Sequence, residues 1–414
     1  MKRLLSYIPI ILVLWAGNVQ AQEALGKYLQ IAGENNPGLK AKFSAYYATL
    51  EKIPQAKALP DPRVSFGYFV SPIETRVGPQ RAKLGVSQLF PWFGTLKAKE
   101  NVVIQLAKAR YEAFEQAKSK LFLEIRSAYF QLYFIQKGID ITNENMLILN
   151  TFQQLAVIKI ETGKVSVVDE LRVEMEINEL KNQRSYLQDS KLALEVKFNK
   201  LLNRQGNLPI RVPDTLWSRN IGSSKTELLD SILGQNHLLK QLEYKIRSWK
   251  KQEEVAKKLG KPQVSVGIDY AIIGKSANPN LGKENGRDAL FLPKVGISIP
   301  LYRKKYRAKV KEAIFNMESN EYQRENQQNE LVALFEMGFK DYQDADRRIE
   351  LYRRQLQLAE KSLNILLVSY SSDGENFEEV LRMERKVLKY ALEFDKARAD
   401  KNAAVAFFDY LIGK

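Results

Sequence analysis

Four short stretches of the chain alternate between apolar and polar residues, and the long tracts that follow them carry apolar residues at steps of three and four. In RVSFGYFV, Val64, Phe66, Tyr68 and Val70 fall on one side, with Ser65 and Gly67 on the other. QVSVGIDYAI sets Val264, Val266, Ile268 and Tyr270 against Ser265, Gly267 and Asp269. In RAKLGVSQLF, Leu84 and Val86 oppose Lys83, Gly85 and Ser87; in LPKVGISIPL, Val295, Ile297 and Ile299 oppose Lys294, Gly296 and Ser298. Side chains on a strand point to alternate faces, so a period of two predicts β-structure. The pattern predicts two hairpins, over 62–90 and 262–301, each with one greasy and one polar face. The intervening SPIETRVGPQR and IGKSANPNLGKENGRDA read as long polar loops.

The tracts from Trp92 to Leu208 and from Tyr302 to Lys414 carry no proline. An interior proline would cost a helix about 3 kcal/mol, so both tracts predict helix. In the first, Leu121, Ile125, Ala128, Leu132, Ile135, Ile139, Met146, Leu149, Ala156 and Ile160 form one seam, interrupted by Thr142 and Gln153. In the second, Leu331, Phe335, Gly338, Tyr342, Ala345, Ile349, Tyr352, Leu356, Ala359, Leu363, Leu366 and Tyr370 form its counterpart. A seam sustained over several heptads predicts coiled-coil packing. At 1.5 Å per residue, a helix from Trp92 to Ile160 would reach roughly 100 Å. Glycine takes a left-handed C-cap without penalty, so Gly163 and Gly374 are the expected turning points.

The chain also repeats itself. At a shift of 200 residues Asn36 meets Asn236, Leu39-Lys40 meets Leu239-Lys240, and Ala56-Lys57 meets Ala256-Lys257. In the same ungapped frame Leu59, Pro62, Val64-Ser65 and Gly67 meet Leu259, Pro262, Val264-Ser265 and Gly267. This predicts a tandem duplication: residues 22–203, a linker or equatorial segment over 204–234, and residues 235–414.

Composition narrows the chemistry. The opening MKRLLSYIPIILVLWAGNVQAQE combines a basic start, a short apolar run and a small-x-small site, so residues 1–21 read as a signal peptide cleaved after Ala21. No later stretch approaches the roughly 18 apolar residues of a spanning helix. The sequence contains no cysteine and one histidine, His237. That removes disulfides, thiolate metal sites, cysteine nucleophiles and multi-histidine centres, and neither a cofactor nor an enzyme activity is expected. The net charge of +16 invites a nucleic-acid reading, but the basic residues are interleaved with acidic ones along helical tracts, and export argues against that partner.

Two readings of the strands remain open at this point. One is a water-soluble sheet with its apolar face on a core. The other is a membrane barrel, lipid outside and water within. Four strands cannot close a barrel and open edges are not viable in lipid, so the second reading requires several copies.

Several residues together resemble the TolC family of outer-membrane factors: Asn36-Pro37, Leu59-Pro60-Asp61-Pro62, the stretch Ser87 to Trp92 with Gly94, and Tyr370, Gly374 and Val380-Leu381. The resemblance covers nearly all of the chain beyond residue 21. It implies a mostly α fold with a transmembrane β part: long coiled-coil helical hairpins plus four strands per chain. It further implies a homotrimer with a 12-stranded barrel in outer-membrane lipid and an α-helical periplasmic tunnel. The implied partners are a periplasmic adaptor protein and an inner-membrane transporter of the RND type. On this reading Val64, Phe66, Tyr68, Leu84, Val86, Val264, Val266, Ile268, Val295 and Ile297 face lipid, and Lys83, Ser87, Ser265, Asp269, Lys294 and Ser298 face the lumen. Lys83 and Lys294 would then favour anions in the channel wall, or meet headgroups at its rim. Gly163, Lys164, Val165, Gly374 and Glu375 mark adaptor-docking tips. Asp169, Glu378, Glu379 and Arg382 mark a periplasmic gate. Arg382 stands where the family pattern has an acid, so a Glu–Arg pair between subunits is an alternative to an acid-only ring, and a solvated helix end is the plain alternative to both.

The function so implied is the outer-membrane channel of a tripartite efflux system for small molecules or metal cations. Phe90-Pro91-Trp92 with Gly94 resembles the metal-cation branch. An exit duct for type I protein secretion and a periplasmic coiled-coil adaptor or scaffold are the alternatives.

Overall fold

A computed structural model describes residues 23–161, 166–217, 219–373 and 377–414. Ala21, Gly163, Lys164, Val165, Gly374 and Glu375 lie outside the described residues. The chain is mostly helical, with one four-stranded sheet. Helix α1 covers 23–35, followed by α2 (Pro37–Leu50) and α3 (Lys52–Lys57). Strands β1 (Arg63–Thr75) and β2 (Gly78–Phe90) lead to α4 (Thr95–Glu161) and α5 (Val167–Leu201). The order then recurs: α6 (Lys225–Gln235), α7 (His237–Leu259), β3 (Gln263–Ile273), β4 (Ala289–Ser298), α8 (Arg303–Asp373) and α9 (Phe377–Ile412).

Two compact units cut across this order. One comprises the described residues within 1–42, 114–237 and 328–414; the other comprises 43–113 and 238–327. The spatial units therefore draw on both halves of the sequence.

In the first unit the seams are the core. Leu121, Ile125, Ala128, Leu132, Ile135 and Ile139 of α4 are buried together with Leu194 and Phe198 of α5. On α8, Leu331, Phe335, Ala345, Ala359, Leu363 and Tyr370 are buried. Burying a large apolar side chain stabilises by about 1.5–3 kcal/mol, so helices of 67 and 71 residues are held by their neighbours along their length rather than by intrinsic propensity.

The segment read as a linker is fixed in place. Ile210, Leu216 and Trp217 join the core, with Trp217 edge-on to Phe130 at 6.1 Å between ring centres. Arg398 donates to the Leu216 carbonyl (2.7 Å), and Asn402 donates to that of Trp217 (3.0 Å). Within 204–234 the structure also adds most of α6, which opens with a capping box: Ser224 Oγ accepts from Glu227 N–H while the Glu227 carboxylate accepts from Ser224 N–H. The turn formers in this stretch masked a helix whose start signal was present in Ser224 and Glu227.

The second unit contains the sheet, an antiparallel meander in the order β1-β2-β3-β4. Its first hairpin differs from expectation. The strands run on to Thr75 and resume at Gly78, leaving Arg76 and Val77 as the connection where a long polar loop was expected. Pro72 is accommodated because β1 lies at the edge of this sheet, where a missing N–H is tolerated, and the register shifts between Tyr68 and Ile73. Thr75 Oγ1 donates to the Gly78 carbonyl at 2.6 Å, and Gly78 adopts a φ of 134°, which favours glycine. The second hairpin keeps its long connection, but β4 ends at Ser298, so Ile299 lies beyond the strand.

Candidate functional site

The sheet presents two chemically distinct faces. Register pairs Val64 with Val86, Phe66 with Leu84, Val86 with Ile268, Val264 with Ile297 and Val266 with Val295. These partners share a face. Val64, Phe66, Tyr68, Leu84, Val86, Val264, Val266, Ile268, Val295 and Ile297 are all exposed, from 37% at Val264 to 69% at Phe66 and Tyr68. Contiguous apolar surface of this kind marks contact with lipid or protein rather than water. Among the described residues no core packs against it.

The opposite face is built from small and charged residues. Ser65 pairs with Gly85, Gly85 with Asp269, Ser87 with Gly267, Gly267 with Lys294, and Ser265 with Gly296. The glycines make room for their neighbours. A Cβ on Gly85 would lie 2.5 Å from Asp269 Oδ1, and one on Gly296 would lie 2.6 Å from Ser265 Oγ. In the notch over Gly85, Asp269 Oδ2 is 2.9 Å from Lys83 Nζ and 3.1 Å from Lys294 Nζ. Both lysines sit within their strands rather than at the ends. Sequence parity grouped these three residues on one face; only the register shows that Asp269 bridges the two lysines.

The helix ends carry the second group of candidates. Beside them Leu149, Phe152, Val173, Ile177, Leu180, Leu363, Tyr370, Phe377, Val380 and Leu381 form one apolar cluster drawn from α4, α5, α8 and α9. Ser166 caps α5, its Oγ accepting from Val168 N–H. Arg172 joins the two helical hairpins, with Nη1 3.2 Å from Asp169 Oδ1 and Nη2 3.4 Å from Glu378 Oε2. Glu379 pairs with Arg382 one turn further along α9.

Two residues near these ends escaped the sequence reading. Lys159 donates to the Tyr370 and Ser371 carbonyls at the end of α8, and its ammonium lies 4.4 Å from the Tyr370 ring centre. Glu384, on the buried face of α9, has neither carboxylate oxygen hydrogen-bonded. Burial first, then the nearby Glu144 and Glu176 carboxylates, push its pKa up to about 7. A glutamate in an apolar heptad position was the available signal.

At the other end of the same unit a matched pair appears. Asn36 Nδ2 donates to the Leu201 carbonyl (2.9 Å), and Asn236 Nδ2 donates to that of Leu411 (2.8 Å). Each asparagine satisfies an orphan carbonyl at the end of a return helix. His237 opens α7, its Nε2 3.1 Å from the Gly413 carbonyl oxygen, so the lone histidine has a helix-end role. Among the described residues no cluster of His, Cys, Asp or Glu could hold a metal, and no helix is long and apolar enough to cross a membrane.

Comparison with known proteins places these features. Residues 228–406 match the family model described as outer membrane efflux protein. No curated protein matches the sequence. Among solved structures, the outer membrane protein VceC of Vibrio cholerae superposes with a TM-score of 0.77 at 15% identity, covering 95% of this chain and 97% of VceC. The CmeC outer membrane channel of Campylobacter jejuni gives 0.75 at 14% identity, with 94% and 86% covered. CusC, whose structures concern folding and transmembrane channel formation, gives 0.77 at 17% identity, with 94% and 92% covered. Residues 228–406 are thus similar to the outer membrane efflux protein family, and across nearly its whole length the chain has the fold of these outer-membrane proteins.

Proposed function

We propose that the protein is the outer-membrane conduit of a tripartite efflux system, working as a homotrimer. Each chain contributes β1–β4 to a 12-stranded barrel, and the helices continue the passage into the periplasm. The observation that carries this reading is the sheet: its apolar face is exposed along four strands, while β1 and β4 each keep an edge unpaired among the described residues. Neither feature suits a water-soluble monomer, and pairing β1 of one copy with β4 of the next resolves both. The apolar residues then meet lipid, and the Lys83–Asp269–Lys294 face meets water. Asp169, Arg172, Glu378, Glu379 and Arg382 form the periplasmic gate, next to tips at Gly163–Val165 and Gly374–Glu375 that dock a periplasmic adaptor. The adaptor links the conduit to an inner-membrane transporter of the RND type. The conduit passes its cargo without transforming it.

The test exploits the absence of cysteine. With Ser65→Cys in β1 and Ser298→Cys in β4, a short bifunctional thiol cross-linker should give a ladder that stops at three copies, from protein recovered in outer membranes. Recovery as an uncross-linked, water-soluble monomer refutes the proposal.

A further inference from the structure

The middle of the polar strand face is charged in an unequal way. Asp269 is the carboxylate there, and its side chain is only 10% exposed, because it lies in the notch over Gly85 beneath two lysines. The lysine side chains are 44% and 55% exposed, so the ammonium groups rather than the carboxylate meet the solvent. Arg63, which register sets opposite Ser87, adds a third exposed cation to the same face. The other charged strand residues, Glu74 and Arg81, lie towards the turn end of the first hairpin, beyond or within the register shifts, and offset one another in sign.

From this arrangement we infer that Lys83 and Lys294, held over Asp269, form an anion-selecting station in the channel wall, which favours negatively charged solutes and disfavours free metal cations. The inference rests on the conduit proposed above. Asp269 acts as a positioning residue. It neutralises one lysine charge and fixes both stems, so that the ammonium groups stand at one level of the wall instead of splaying apart. Symmetry would repeat the station in each copy, making a positive ring around the passage. A like-signed ring with low-dielectric walls behind it raises the local concentration of counter-ions, and it acts within about one Debye length, roughly 10 Å at 0.1 M salt and 3 Å at 1 M. Charged rings of this kind set selectivity in pores. The cargo class that fits is an organic anion, such as a carboxylate or sulfonate, or a complex with net negative charge. A bare divalent cation would meet three cations and one covered carboxylate per chain.

The measurement is the reversal potential of the purified full-length protein in planar lipid bilayers under a potassium chloride gradient. Around 0.1 M salt the chloride-to-potassium permeability ratio should be about three or more, and it should approach one at 1 M as screening shortens the field. Lys83→Glu with Lys294→Glu should bring the ratio below one, and Asp269→Asn should raise it above the native value. Ser87→Cys gives a second reading with all four charges in place: an anionic methanethiosulfonate should label it faster than a cationic one of similar size. Pores that conduct without preference or prefer potassium, or equal labelling rates, overturn the station while leaving the conduit standing. Failure of the native protein to form pores overturns both.

Discussion

At the scale of single residues, matched positions show how one side chain takes its worth from its surroundings. Asn36 and Asn236 stand 200 residues apart and donate to carbonyls at the ends of α5 and α9, but Asn236 is almost fully buried whereas Asn36 is partly open to water. A buried acceptor left unpaired costs about 1–3 kcal/mol, and a solvated one costs less. Asn236→Ala should therefore lower the denaturation midpoint in detergent clearly more than Asn36→Ala; equal losses would show that the bond to Leu411 carries no special weight. Gly67 and Gly267 make a second such pair. A Cβ on Gly267 would lie 2.6 Å from the Val86 carbonyl oxygen, whereas one on Gly67 has no neighbour within 4 Å in the chain. Overpacking against backbone costs roughly 1–3 kcal/mol, so Gly267→Ala should reduce thermal stability while Gly67→Ala should leave the isolated chain's hairpin undisturbed.

At the scale of elements, α9 combines an apolar face with a titrating one. Phe377, Val380 and Leu381 bury into the cluster near the helix ends, and Glu384 follows them one turn later. Glu144 on α4 and Glu176 on α5 raise its pKa further, and Glu176 is itself paired with Arg385 at 2.6 Å. The folded value, about 7, lies above the ordinary 4.5 of a glutamate. The folded state therefore holds more protons between these values, and stability should fall as pH rises from about 4.5 to 7. Glu384→Gln should flatten that dependence and make the protein more stable than the native one at pH 8, measured by thermal unfolding across pH. An unchanged slope would show that Glu384 is already ionised and solvated in the folded protein.

At the scale of the whole molecule, the sheet gives adjacent residues opposite tasks. Val86 lies on the exposed apolar face and Ser87 on the polar one, next to each other in a strand that is paired on both sides. In the proposed barrel an arginine facing lipid near mid-membrane costs about 2–4 kcal/mol, whereas one in a watery lumen costs little. Val86→Arg should reduce recovery of heat-modifiable protein from outer membranes, and Ser87→Arg should not. Equal recovery of the two variants would remove the distinction between the faces on which the conduit depends.

The sequence by itself determined the local periods. Alternation in RVSFGYFV and QVSVGIDYAI specified strands, heptad spacing from Leu121 and Leu331 specified long packed helices, and both signals are local because they follow from backbone geometry. It also placed Lys83, Asp269 and Lys294 on one face, since parity is a property of each strand. Only the tertiary structure decided what depends on pairing between distant segments. The register that seats Asp269 between two lysines joins strands almost 200 residues apart. Arg172 meets Glu378 only because the two hairpins pack together. The stretch SPIETRVGPQR reads as a loop and 204–234 as a linker or equatorial segment, but an edge position makes most of the first compatible with strand and core packing of Ile210, Leu216 and Trp217 fixes the second. Propensity describes what a segment prefers alone, and these segments are set by what they touch.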